Sequence, residues 1–538
     1  MTDRLRYATL GRIPPHLRPA TDPRGRKVAV VHLGVGAFHR AHQAVYTEAC
    51  GDWAIAGFTQ RSGSVADQLV PQDCLYTVLV RSADEVCPQV IGAIREVAFA
   101  GADPAEVVAK IAEPAVTVVT LTVTEKGYRH DPASGRLRLA DPEVAADLAG
   151  RPPRTVVGQL AAGLAARAAA DGPPLTIVCC DNLPSNGSTL RGLVEQYLAH
   201  YAGIASAGIA SAGTAGAVNT GARNVGARNV GARNVGARNV GARNIGAARN
   251  AIAGWMAAAA RFPATMVDRI VPAATEADRA DAAALLGVRD EGTVVAEPDS
   301  HWVIEDDFAG PRPRWERAGA LLVPDVAPYE IMKLRVVNGA HSALAYLGGL
   351  AGYEYIAAAA ADPELASYVL RLLGEDVAPT LDPPAGTDLA AYQAQQLPRF
   401  ANPALRHKTA QVAMDGSQKL PQRLLGTIRD RYRAGAEPIW ASLAVAAWMR
   451  HVATGRSDDG RSFAVDDPLA GIFTERLRGV SRAKDVAAAL LHVREVFGDL
   501  GANAGFEDLL TAHLYRLTRG GVRQTVRSLL MDCGRRPG

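Results

Sequence analysis

The stretch "KVAVVHLGVGAFHRAHQAVYTEAC" constrains the fold more than any other part of the chain. A β-branched run from Val28 to Leu33 enters a glycine turn, Gly34-Val35-Gly36, and then a helical pattern. Strand, tight turn and helix open a nucleotide-binding βαβ unit. Further apolar strand candidates follow at "WAIAGFT", "AVTVVTLTVT" and "LTIVCCDN", with helical patterns such as "PAEVVAKIA" and "VVGQLAAGLAARAAA" between them. That alternation predicts a parallel sheet wrapped by helices on both faces.

At 538 residues the chain exceeds the roughly 250–300 at which a single core stops growing, so at least two domains are expected. After "GTVVAEP" and "HWVIEDDF" the pattern turns almost wholly helical, beginning with "YEIMKLRVVNGAHSALAYLGGL". The expected architecture is an α/β Rossmann-like N-terminal domain over 1–322, followed by an all-α C-terminal domain over 323–538. Within the first lies a low-complexity insertion, 203–250, holding five near-identical copies of GARNV from Gly221 to Ile245. A period of five advances about 140° per repeat on a helix and changes face on a strand, so neither element gains an apolar side. A surface loop is the expectation, with a basic contact arm or a short pentapeptide β-solenoid as alternatives.

Charge narrows the function classes. The 58 Lys+Arg against 55 Asp+Glu leave +3, and the insertion's six arginines account for more than that, which argues against a nucleic-acid or membrane surface. The N-terminus lacks a signal-peptide apolar core, so a cytoplasmic protein is expected. Six scattered cysteines without CxxC spacing suggest neither a zinc ribbon nor a disulfide scaffold.

Three motifs carry chemistry. The glycine turn has the first two glycines of a dinucleotide fingerprint, Gly34 and Gly36, followed by Ala37 and Phe38, but His39 at the third position. Arg40 is a candidate for phosphate; His39 and His42 lack the neighbours a metal would need. "CCDNLPSNG" sets Asp181 and Asn182 after a strand, at the end of a parallel sheet where ligands bind. The third motif is the helix 329–350. At about 100° per residue from Lys333, Glu330 falls near 60°, His341 near 80° and Asn338 near 140°, all on one arc. An amine, an amide, an imidazole and a carboxylate are the parts that handle an alcohol becoming a carbonyl.

The blocks "GVGAFHRAHQAVYTEA", "TVTEKGY", "CCDNLPSNG", "MVDRI", "WVIEDDF" and "KLRVVNGAHSALAYLG" together resemble the polyol-specific long-chain dehydrogenases, which include mannitol 2-dehydrogenase and fructuronate reductase. The resemblance implies a site in the cleft between the two domains and no metal. It implies Lys333 as general acid/base, Asn182 and Asn338 as an oxyanion hole, His341 and Asp268 on the substrate, and Glu330 on a proton route. Thr124 and Glu125 of "TVTEKGY" join the expected cofactor contacts. In "RHKTAQVAMDGSQKLPQR", Gln411 stands eight residues before Lys419 where mannitol-acting relatives tend to carry arginine. The block looks more like the hexuronate-acting branch, with His407, Lys408, Lys419 and Arg423 available to a carboxylate. The resemblance favours NAD, whereas Gln60, Arg61 and Ser62 in place of an acidic residue after the second strand leave NADP open. The expectation is a monomeric NAD-linked enzyme interconverting D-fructuronate and D-mannonate. Mannitol 2-dehydrogenase and a non-catalytic binding protein on the same fold are the alternatives.

Overall fold

The computed structural model describes residues 3–131, 134–201 and 233–533. It divides into two compact units, 1–80 with 87–326, and 81–86 with 327–538.

The first unit is built on six strands in the spatial order Ala260–Arg261, Leu175–Cys179, Val118–Leu121, Lys27–Leu33, Trp53–Thr59 and Ile94–Phe99. Every neighbouring pair is parallel. The chain builds outward from Lys27–Leu33 on one side, then crosses to the other with Val118–Leu121. The direction of building therefore reverses between those two strands, and a crevice opens beyond their carboxyl ends, at Gly34 and Thr122. Alternate side chains divide between the faces: Val31 and Leu33 join a core with the helices Val156–Ala169 and Asn186–His200, while Val30 packs with Trp302 and Trp315 on the other side. The edge strand Ile94–Phe99 was not foreseen, because Arg95 and Glu96 interrupt its apolar run as an edge position allows.

The loop expected over 203–250 needs correction in part. Residues 202–232 lie outside the described residues. From Arg233 the chain is helical, through Ala259. The anchor is its second half, where Ala248, Ile252 and Met256, four residues apart, are buried in the sheet's core. The five-residue period has no apolar side of its own; the apolar spacing that seats the helix begins beyond the repeat, at Ala248.

The second unit is helical, as expected. Ile439–Thr454 runs through its centre with Trp440 and Trp448 fully buried, and Ala504–Cys533 is two helical segments joined at Gly521, whose φ is +70°. The segment Arg81–Val86 also belongs to this unit, where Asn402 Nδ2 donates to the Arg81 carbonyl at 2.9 Å. Among the described residues no helix is long and apolar enough to cross a membrane.

Candidate active site

The glycine turn sits at the reversal of the sheet. Gly34 has φ +102°, and a Cβ there would lie 2.2 Å from the Thr122 carbonyl oxygen, so only glycine fits. Gly36 has an ordinary extended backbone, and the nearest atom to an added Cβ is the Gly34 carbonyl at 3.7 Å. The fold thus demands glycine at 34 but not at 36, where its absence of side chain leaves backbone open to a ligand. That cradle fits a dinucleotide pyrophosphate.

His39 stands where the fingerprint would have its third glycine. Its ring stacks on His32 at 3.3 Å and fills the space between helix and strand. His32 is wedged between the hydroxyls of Thr120 (2.7 Å) and Thr122 (2.9 Å), and burial pushes its pKa down to about 3, so it is neutral. His42 is also structural, its Nε2 bonded to the His301 carbonyl at 3.0 Å and its ring stacked on Phe38. Among the described residues no group of three His, Cys, Asp or Glu is placed to hold a metal. The phosphate role expected of Arg40 is corrected. Its guanidinium is buried and donates to the carbonyls of Gly292 (2.6 Å) and Gly36 (3.2 Å), which locks the turn rather than reaching a ligand.

Asp181 and Asn182 follow the strand Leu175–Cys179 directly. Asp181 accepts from the Val123 N–H (2.8 Å), the Thr124 N–H (3.0 Å) and the Tyr128 hydroxyl (2.6 Å), so it holds the loop containing Thr124 and Glu125. Arg61 donates to the Thr124 hydroxyl at 3.0 Å. On the other side, Asn186 donates to the Asp181 carbonyl (3.1 Å) and the Thr265 carbonyl (2.9 Å) and accepts from the Thr265 N–H. Thr265 opens the strand Thr265–Asp268. One buried amide therefore fixes both the segment carrying the exposed Asn182 and the strand carrying the buried Asp268. Asp181, Asn186 and Tyr128 were missed as positioning groups although each lies inside a quoted block.

In the second unit the lysine helix is not one regular helix. Ala327–Lys333 is α-helical, Leu334–Asn338 is a π turn, and Gly339–Leu350 resumes the α form. This corrects the angular reading. Hydrogen bonds from residue i to i+5 return Asn338 toward the face of Lys333 instead of the 140° a regular helix gives, and such turns frequently mark functional sites. A second π turn, Pro421–Leu425, packs on the first: a Cβ on Gly339 would meet the Arg423 carbonyl at 2.9 Å. Arg335 pins the first turn through Asp430 at 2.7 Å. Lys333 is buried to 3 % exposure, while Glu330, one turn earlier, is partly exposed.

His341 stacks on Phe400 (4.9 Å between ring centres) and meets His407 edge-on at 5.1 Å. Burial, then His407, Arg423, Lys419 and Arg399, hold its pKa well below the usual imidazole range, and burial puts that of His407 at about 4. Both rings are neutral at pH 7. Arg423 donates to the Ser342 hydroxyl at 3.0 Å and Lys419 to the Val412 carbonyl at 3.3 Å. His341 Nε2, His407 Nδ1 and Asn338 Oδ1 are buried without a hydrogen-bond partner among the described residues. Each such atom costs about 1–3 kcal/mol, and the hydroxyls of a sugar would satisfy all three.

Two expected substrate contacts stand apart. Lys408 is exposed and paired with Glu354 at 3.0 Å, and it lines a separate cavity of about 270 Å³ with Gly349, His451 and Phe463. Gln411 is exposed on the short helix Thr409–Ala413.

A sheet in this order with a glycine turn at its reversal defines a Rossmann-type dinucleotide fold, and the helical unit separately offers lysine, asparagine and histidine on one interrupted helix. The family model of the mannitol dehydrogenase Rossmann domain matches residues 28–212 and 234–317, and that of the mannitol dehydrogenase C-terminal domain matches 325–518. Pentapeptide repeats (8 copies) match 208–249, although the described part of that stretch, from Arg233, is helical. An uncharacterized oxidoreductase of Escherichia coli K12, YdfI, is 39% identical over 94% of this chain and 96% of its own. The D-mannonate oxidoreductase of the same organism is 37% identical over 96% and 98%. The Pseudomonas fluorescens mannitol 2-dehydrogenase, solved as a ternary complex with NAD and D-mannitol, superposes with a TM-score of 0.83 at 32% identity, covering 98% of this chain and 99% of that one. The chain belongs to the mannitol dehydrogenase family. It is accordingly an oxidoreductase acting on CH–OH groups.

Proposed function

We propose that this chain reduces D-fructuronate to D-mannonate, reversibly, with NAD as cofactor. NADH when bound supplies the hydride. As hydride adds to the carbonyl carbon, the Lys333 ammonium gives its proton to the carbonyl oxygen, and Asn182 and Asn338 donate hydrogen bonds to that oxygen while charge builds on it. Glu330, on the partly exposed turn before Lys333, returns a proton from solvent. His341 and Asp268 orient the remaining hydroxyls.

The observation that carries a sugar acid over a polyol is the positive charge gathered beside His341, with Arg423 seated on Ser342 and Lys419 close by. A planar guanidinium meets a carboxylate bidentately. Similarity to the D-mannonate oxidoreductase supports the same choice. The likeness to mannitol 2-dehydrogenase favours the second reading, fructose and mannitol.

A steady-state panel of NADH and NADPH against fructuronate, tagaturonate and fructose separates them. Fructuronate with NADH is expected to give the highest kcat/KM and to exceed fructose by about tenfold, the worth of one charge-assisted contact. Fructose as the preferred substrate would overturn the assignment.

A further inference from the structure

We infer that Asp181 is the positioning residue of the cofactor loop 122–128, and that the dinucleotide is held tightly only while this carboxylate is ionised. The inference rests on reading this end of the sheet as the dinucleotide site.

The geometry begins with the loop. Thr122 touches the glycine turn twice: its hydroxyl donates to the Gly34 carbonyl at 3.0 Å, and its own carbonyl closes the space above Gly34. Two residues on, Thr124 has φ +68° and ψ 159°, a conformation that costs a side-chain-bearing residue about 1–3 kcal/mol and persists only where its surroundings impose it. The surroundings are Asp181. One of its oxygens takes the Thr124 N–H, the other takes the Val123 N–H and the Tyr128 hydroxyl. Asn186 holds the Asp181 backbone by its carbonyl, which fixes the point from which the carboxylate reaches the loop. The strained loop thus borders the glycine cradle on one side and Arg61 on the other, and it keeps its shape through three bonds to a single side chain.

All three partners are donors, which makes the ionisation state decisive. A carboxylate accepts all three with its full charge; a carboxylic acid is neutral and must donate its own proton, so the Tyr128 bond reverses, with the Tyr128 hydroxyl turned to Cys179, and the two amide bonds lose their charge assistance. The titratable groups around Asp181 are Tyr128, Cys179, Cys180 and Glu125, and burial holds Cys180 well above the usual thiol range, so it stays a thiol. Burial raises the Asp181 pKa most, the Tyr128 hydroxyl and the Val123 amide lower it, Glu125 raises it, and the balance lies at about 6. Cys179, pushed up to about 12 by burial, stays a thiol throughout. As pH falls through about 6 the carboxylate is lost and its hold on the loop weakens.

The test is calorimetric titration of the full chain with NAD between pH 5 and 7.5. Amide hydrogen exchange of residues 120–128 in the cofactor-free protein, corrected for intrinsic rates, is followed alongside. The dissociation constant is expected to rise about tenfold toward pH 5 along one titration near pH 6, with protection of Val123 and Thr124 falling over the same range. D181N should bind about tenfold more weakly at pH 7.5 and show no titration. Y128F keeps the carboxylate but removes a donor that favours its ionised form, so its titration should move to higher pH. A flat wild-type profile overturns the inference, as does a D181N profile that keeps the titration or differs from wild type only in melting temperature. If wild type binds neither NAD nor NADP at pH 7.5, the cofactor reading falls and the inference with it; binding with a flat profile removes the inference alone.

Discussion

Lys333→Ala is expected to lower kcat for fructuronate reduction by roughly 10²–10⁴-fold, the contribution of a positioned general acid, while the protein still folds and melts within several degrees of wild type. The separation of the two effects is what identifies the role. A side chain only 3 % exposed that served stability would cost melting temperature on removal. Taking an ammonium out of water is unfavourable, so the removal of that cost offsets part of what the cavity and the lost contacts take away. Lys333→Met, which keeps the volume, should lose activity equally and melt higher than the alanine variant. Primary amines added to Lys333→Ala should restore part of the rate, with a pH profile that follows the added amine. A loss smaller than tenfold in kcat, with no rescue, would remove Lys333 from the proton transfer.

Within the first unit, some elements were legible in the sequence and others were not. Strand Trp53–Thr59 and helix Pro104–Ala112 were legible residue for residue, since an apolar β-branched run and a proline-started amphipathic segment obey local rules. The parallel order of the central sheet followed from alternation of such segments. What escaped was decided by tertiary context. Ile94–Phe99 reads as polar because one side of it has no neighbour strand. The helix Arg233–Ala259 is stabilised where it packs, not where it repeats.

The candidate site follows the same division. Residue types that chemistry requires, Lys333, Asn338 and His341, stand out as polar groups in an apolar helix. Their spatial relation did not, because no sequence periodicity announces a π turn. Cations were legible as a set and not as individuals: Lys408 is committed to Glu354, while Arg399, not considered before, adds to the positive field that lowers the His341 pKa. Positioning groups were the least legible, since Asp181 reads as a turn residue until its three donors are in view.

The glycine turn yields the second large effect, and one that separates the needs of the fold from the needs of a ligand. Gly34→Ala places a Cβ 2.2 Å from a backbone oxygen at φ +102°, an overlap that flexible side-chain motion cannot relieve. Strain and overlap together are worth about 3–4 kcal/mol, so a melting temperature lower by several degrees is expected, with NAD binding weakened by more than about 100-fold. Gly36→Ala meets no such obstacle: its backbone suits any residue and the added methyl has ordinary clearance. It should melt within about a degree of wild type. Its cost appears only on titration with NAD, where a methyl in the path of the pyrophosphate should weaken binding by about tenfold or more. A protein that keeps its affinity with alanine at 36 binds no phosphate across this turn, whatever else it binds. One that loses affinity there without losing stability carries a glycine that only the ligand requires.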